Sequence, residues 1–179
     1  MIGHLVRADF KTMAWANGKG TTVEMLRVER DGVLMLRLSR AMVVEDGPFS
    51  LFPEIERSLT VLSGPGFRLV GEGVLLHALP LLPVAFAGHV LVRAEGVTAA
   101  SEDFNVMTAS RLPRPCVWVQ DAGLVGAGCA VLALEAGQIG ELTVGQYDLV
   151  LSDQPLSHDV PVIAVRAEGV QQYLSIASV

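Results

Sequence analysis

The sequence predicts an all-β protein whose strands close into barrels or pack as two sheets, with a jelly roll as the favoured arrangement. Three observations lead there. Apolar runs of five to eight residues, rich in Val and Leu, recur every ten to fifteen residues and are cut by Gly, Pro, Asp and Ser. No segment sustains a helical period with capping residues at its ends. About a dozen strands exceed what one open sheet holds comfortably.

In order, the expected strands lie near residues 23–29, 33–39, 59–63, 67–70, 74–79, 89–94, 104–108, 116–120, 129–134, 147–151, 161–166 and 172–177. Residues 109–115, with Ser110, Arg111, Pro113, Arg114 and Pro115, are the expected joint between an N-terminal lobe, 1–112, and a C-terminal lobe, 113–179. Residues 73–92 carry no charged side chain and reach membrane-spanning length. Pro80, Pro83, Gly88, His77 and His89 within them predict instead two buried strands joined by a Pro-rich turn.

Composition bounds the function. At 179 residues, 51% of them hydrophobic and 18% charged, the chain can build one well-buried core or two small lobes. A net charge of −6 is opposite to the basic footprint that phosphate backbones require, so nucleic acid is not an expected partner. All of that net charge falls after residue 114, where Arg166 faces seven acids; a solvated acidic face and two lobes with different surfaces both account for it. Cys116 and Cys129 sit in apolar runs and read as buried small hydrophobes, which suits a reducing compartment. Residues 1–10 carry Arg7 and Asp9 and no long apolar stretch, unlike a secretory signal, so a cytoplasmic protein with no membrane partner is expected.

Residues 15–22 crowd turn formers against polar groups. Asn17-Gly18 suits a tight turn, but the spacing matches no phosphate-binding loop and no helix follows. In 33–39, alternation puts Leu34, Leu36 and Leu38 on one face and Val33, Met35, Arg37 and Ser39 on the other. Arg37 either points to water behind a Leu core or offers a fork of donors to a carboxylate inside a barrel. In 46–57, Phe49 and Phe52 can cover the end of a core or the mouth of a pocket. Arg57 then pairs with Glu54 or Asp46, or binds an anion. Asp103 and Asn105, in an apolar strand, must be hydrogen-bonded, as a lattice or as part of a polar site. His4, His77, His89 and His158 show no metal-ligand spacing, and His77 and His89 read as core imidazoles; no metal or other cofactor is expected. No nucleophile signature or spaced carboxylate pair stands out.

Taken in order, W-x-N-G-x-G-T-T-x-E (Trp15 to Glu24), R-x-S (Arg37, Ser39), D-G-P-F-S-x-F-P-x-x-x-R (Asp46 to Arg57) and D-F-N-V-M-T (Asp103 to Thr108) resemble the HutD/Ves family over about residues 8–110. The resemblance implies a cupin-like fold, often two barrels in one chain, lacking the usual cupin metal ligands. It further implies a sensor or regulator of histidine utilisation that binds a small carboxylate such as urocanate or a formylated glutamate. The sequence departs from the family at Leu36, where Trp is usual, and at Lys19, where Gly is frequent.

Within a cupin-like barrel the inner face is the functional one. Asn17, Thr21, Arg37, Ser39, Arg57 and Asn105 are then the expected ligand-binding residues for a small anionic metabolite. Two other readings stay open. One is a small-molecule isomerase or hydrolase using Glu24, Asp103 or a histidine as acid and base. The other is a subunit that associates, as a homodimer, through its apolar sheets.

Overall fold

A computed structural model describes residues 2–15 and 20–171 of the chain. It begins with β1 (Ile2–Leu5) and a 3-10 turn at Arg7–Asp9. There follow β2 (Lys11–Ala14), β3 (Thr21–Arg30), β4 (Val33–Val43), β5 (Gly47–Pro48), β6 (Ile55–Ser63), β7 (Phe67–Gly71), β8 (Val74–Ala78), β9 (Val84–Ala87), β10 (Val92–Glu95) and β11 (Ser101–Ala109). The rest of the chain gives β12 (Cys116–Gln120), β13 (Gly123–Val125), β14 (Cys129–Ala133), β15 (Gly137–Ile139), β16 (Leu142–Val144), β17 (Leu149–Ser152), β18 (Leu156–His158) and β19 (Val162–Arg166).

These strands form two compact units, one of residues 11–111 and one of residues 1–10 with 112–179. The first holds a six-stranded sheet, β2-β3-β4-β11-β6-β9, and a four-stranded sheet, β5-β10-β7-β8. Val43, Leu59, Val61, Phe67, Leu69, Phe86 and Val92 pack between them. The second holds a five-stranded sheet, β1-β17-β14-β19-β12, and a four-stranded sheet, β13-β18-β15-β16, around Val125, Val131, Ile139, Val144, Val150, Leu156 and Val162. The chain thus has the all-β, jelly-roll-like character that the recurring apolar runs predict, in keeping with the cupin-like fold that the family resemblance implies.

The division differs from the expected lobes in the first ten residues. β1 pairs antiparallel with β17, from Ile2↔Ser152 to Leu5↔Leu149, so the C-terminal unit takes an edge strand from the start of the chain. A Pro-rich joint is visible in sequence, whereas a pairing across some 145 residues is not.

Local chemistry explains the strands that position the cavity. β3 and β4 are joined by Asp31-Gly32, both with positive φ (51° and 75°), the two-residue turn whose twist matches an antiparallel hairpin. β4 is buried on both faces at its centre, with Leu36 and Leu38 fully buried.

Several expectations are corrected. Strands β1, β2, β5, β9, β13, β15, β16 and β18, two to four residues long, were not marked by apolar runs. The strand expected at 89–94 begins only at Val92, as β10, and residues 88–90 form the turn that leads into it from β9. The uncharged stretch 73–92 does form strands, but they are not buried ones: Leu75, Leu79, Leu82 and Leu91 are exposed, as are His77 and His89. These are outer strands of their sheets, where one face meets solvent. Cys116 is exposed and only Cys129 is buried. The strand expected at 172–177 lies outside the described residues.

Candidate functional site

The inner face of the six-stranded sheet is built from three rungs of directly opposed residues. Thr22, Ala41 and Asp103 form the first, Glu24, Ser39 and Asn105 the second, and Arg37, Met107, Arg57 and Phe86 the third. Because side chains alternate, members of successive rungs two residues apart on one strand share a face. All of them except Glu24 and Phe86 line a cavity of about 500 Å³ whose other walls are the β4–β5 segment and the loop from Pro48 through Phe52.

At the centre of its floor lies Arg57, 6% exposed. Its guanidinium carbon sits 5.4, 5.3 and 4.9 Å from the ring centres of Phe49, Phe52 and Phe86, an aromatic clamp that favours a cation. Gly88 makes the clamp fit. Its amide donates to the Ile55 carbonyl at 2.7 Å and its carbonyl accepts from Phe52 N–H at 2.8 Å. A Cβ at Gly88 would lie 2.5 Å from the Phe52 carbonyl oxygen, so only glycine admits this approach.

Arg57 Nη2 donates to Asn105 Oδ1 at 3.0 Å and Nη1 to the Ser50 carbonyl at 3.4 Å, while Nε has no hydrogen-bond partner among the described residues. Neither Glu54 nor Asp46 pairs with it. Asp46 instead accepts the backbone N–H groups of Val97 and Gly96, at 2.8 and 3.2 Å, which hold its carboxyl below the usual carboxylate range. Burial lowers the Arg57 pKa to about 10, against the pull of Asp103, so it remains a cation at neutral pH.

Asp103 is buried, 1% exposed, where it borders the cavity. Its Oδ1 accepts from Asn105 Nδ2, and its Oδ2 has no partner among the described residues. Burial pushes its carboxyl up to about 7, although the Arg57 charge and the Asn105 hydrogen bond both hold it down. Arg37 differs from Arg57 in already having a carboxylate: its Nε donates to Glu24 Oε2 at 2.6 Å. A β-bulge after Glu24 shifts the β3 register at this point.

Of the expected ligand-binding residues, Arg37, Ser39, Arg57 and Asn105 come together on the cavity wall. Thr21 is exposed, and its neighbour Thr22 faces the cavity instead. Strand parity decides this, and it is set by the pairing Thr22↔Ala41 rather than by any local feature. Asn17 lies outside the described residues, as does Lys19. Trp15, which the sequence does not single out as a site residue, also lines the cavity: its indole donates to Thr22 Oγ1 at 2.9 Å, and it packs so closely on Gly20 that a Cβ there would lie 2.9 Å from the ring. The glycine of the G-T-T motif makes room for the tryptophan that opens it.

The remaining histidines serve elsewhere. His4 Nε2 lies 2.8 Å from Asp148, and buried His158 Nδ1 lies 2.8 Å from the Val160 carbonyl. Among the described residues no three His, Cys, Asp or Glu side chains cluster as metal ligands. No helix among them is long and apolar enough to cross a membrane.

Comparison with known proteins places this architecture. Residues 7–137 match the HutD family. The chain is 40% identical over 111 residues to an uncharacterised 21.2 kDa protein in the hutC 3′ region of Pseudomonas putida, covering 59% of this chain and 57% of that one. It is 36% identical over 109 residues to protein Ves of Cronobacter sakazakii, covering 60% of each. The matched stretch therefore spans less than two thirds of these relatives' length. The structure of HutD from Pseudomonas fluorescens SBW25 superposes with a TM-score of 0.80 at 26% identity, over 94% of this chain and 100% of that one. A family match over most of the chain, on the strands that build the cavity, makes the protein a member of the HutD family.

Proposed function

We propose that the protein is a metal-independent small-molecule binder that senses or moderates histidine utilisation by holding a carboxylate intermediate, of the urocanate or formylglutamate type, in the cavity of the 11–111 unit. The observation that carries this reading is Arg57. A buried guanidinium without an ion pair among the described residues, clamped by three phenyl rings and lining an apolar-walled cavity, is a receptor for an anion from outside the chain. The 500 Å³ volume suits a metabolite of that size. The position of the P. putida relative in the hutC 3′ region supports the pathway. On this reading the protein is cytoplasmic.

The test is thermal unfolding with millimolar urocanate, formylglutamate, histidine and glutamate. A ligand at about one hundred times its Kd adds about 2.7 kcal/mol, or roughly 5 to 10 °C for a chain of this size. Arg57→Met should keep the fold and lose the shift. No shift with any of the four counts against a carboxylate of this pathway.

One observation favours a second reading, an isomerase or hydrolase acting on the same ligand: Asp103 titrates near neutrality inside the cavity, where a general acid or base would be poised. Turnover of one of the four compounds that disappears in Asp103→Asn would establish it, and their recovery unchanged would remove it.

A further inference from the structure

Arg57, Asn105 and Asp103 form a hydrogen-bonded line across two strands. The Asn105 carbonyl is held by Arg57 and its amino group by Asp103 Oδ1, so the amide is oriented between a cation and an acid. Asp103 Oδ2 is left buried and without a partner among the described residues, on a side chain that lines the cavity. As a carboxylate that oxygen is an unsatisfied buried acceptor; as an acid it is a donor with nothing yet to receive it.

The charges around it decide which form an anionic ligand prefers. On β6 stands Arg57; on β4 and β3 Arg37 and Glu24 neutralise each other. Next to Asp103 on β11, Glu102 is paired with Arg40 of β4. The β4–β5 segment adds Glu45 and Asp46 to the cavity lining. An ionised Asp103 therefore offsets Arg57, whereas a neutral one leaves Arg57 as the uncompensated cation on the floor.

We propose that Asp103 is the proton-linked half of the ligand site: the bound state holds it as a neutral carboxylic acid whose Oδ2–H donates to the ligand, so that binding a carboxylate takes up one proton from solvent. The inference rests on reading the cavity as a carboxylate site. It also narrows the ligand class to carboxylates that carry a neutral acceptor, a carbonyl oxygen or a ring nitrogen, within reach of Asp103. Burial already holds the free carboxyl near 7. An anion beside it raises it further, and by linkage the proton strengthens the anion by the same factor.

Calorimetric titration with formylglutamate tests this, because its own carboxylates stay ionised throughout the range used. It is run at about pH 6 and about pH 8.5, each in two buffers of different ionisation enthalpy. Expected is little proton uptake at the lower pH, an uptake approaching one at the higher, and an affinity that weakens by up to about tenfold per pH unit above about 7. Asp103→Asn, which keeps a donor but no titrating group, should bind with a flat pH profile and no uptake. Wild-type binding that is equally tight at both pH values, with no buffer dependence, overturns the role of Asp103 and leaves the carboxylate site standing. Uptake that persists in Asp103→Asn overturns it as well. Absence of binding at both pH values overturns the carboxylate reading and this inference with it. The wild-type buffer comparison decides the question even if the variant does not fold.

Discussion

The two units are built alike, each from two antiparallel sheets, yet among the described residues one is filled by an apolar cluster, the solid unit, and the other holds the cavity, the hollow unit. In the unit of residues 1–10 with 112–179, the inner positions are Val131, Ala133, Val150, Val162 and Ala164, which close on Ile139, Val144 and Leu156 of the facing sheet. In the 11–111 unit the apolar core occupies only part of the space between the sheets. The rest of the inner face carries Thr22, Arg37, Ser39, Asp103, Asn105 and Arg57. A barrel becomes a site by exchanging interdigitated branched side chains for polar ones that satisfy each other and keep a gap open. The polar wall costs stability, and the packed unit shows what the same architecture does without it.

The contrast can be broken most severely in the solid unit. Ile139→Ala removes a fully buried side chain from the apolar cluster, and should lower stability by about 3 kcal/mol in chemical denaturation. If the loss is well under 1 kcal/mol, that core is not the close-packed one described. In the hollow unit the corresponding exchange, Arg57→Met, should change stability by only about 1 kcal/mol, since a buried cation is replaced by an apolar chain of similar length between three rings. Its effect should fall on ligand affinity, which calorimetry should find weakened by about a hundredfold or more.

Asp103→Asn sharpens the contrast through pH. The folded-state value near 7 lies above the unfolded value near 3.8, so the contribution of this carboxyl is fully present below about pH 4 and is lost as pH rises through about 7. The stability difference between wild type and variant should therefore shift against the wild type by several kcal/mol between those limits and stay level above them. A difference independent of pH would mean that Asp103 ionises normally. The smallest effect is expected of Glu24→Gln. Removing the acid that neutralises Arg37 should tighten binding of a carboxylate by roughly threefold to tenfold; weakened binding would show Glu24 to be a ligand contact in its own right.

These polar residues also mark where the sequence could be read. Long strands such as β4, β6 and β11 announce themselves by apolar content, and Arg37, Ser39, Arg57 and Asn105 fall to the inner face as the motifs suggest. The two-residue β5 and three-residue β13 carry no periodicity to detect, and β1 joins its sheet through a partner far along the chain. The sequence points to Thr21 and the structure to Thr22, because neither residue's own chemistry fixes strand parity; the pairing with β4 does. The exchange of importance between Arg37 and Arg57 was equally hidden. It depends on Glu24 lying opposite Ser39 and within 2.6 Å of Arg37, which is a fact of register and not of composition.

The Trp15 indole on the cavity wall has a spectroscopic consequence. The chain contains two tryptophans, Trp15 in the hollow unit and Trp118 packed beside the solid core with the Arg166 guanidinium 5.7 Å over its ring. Trp118→Phe would leave a single emitter hydrogen-bonded to Thr22 at the rim of the site. The intrinsic fluorescence of that variant then reports occupancy of the cavity directly, without a label and at concentrations far below those calorimetry needs.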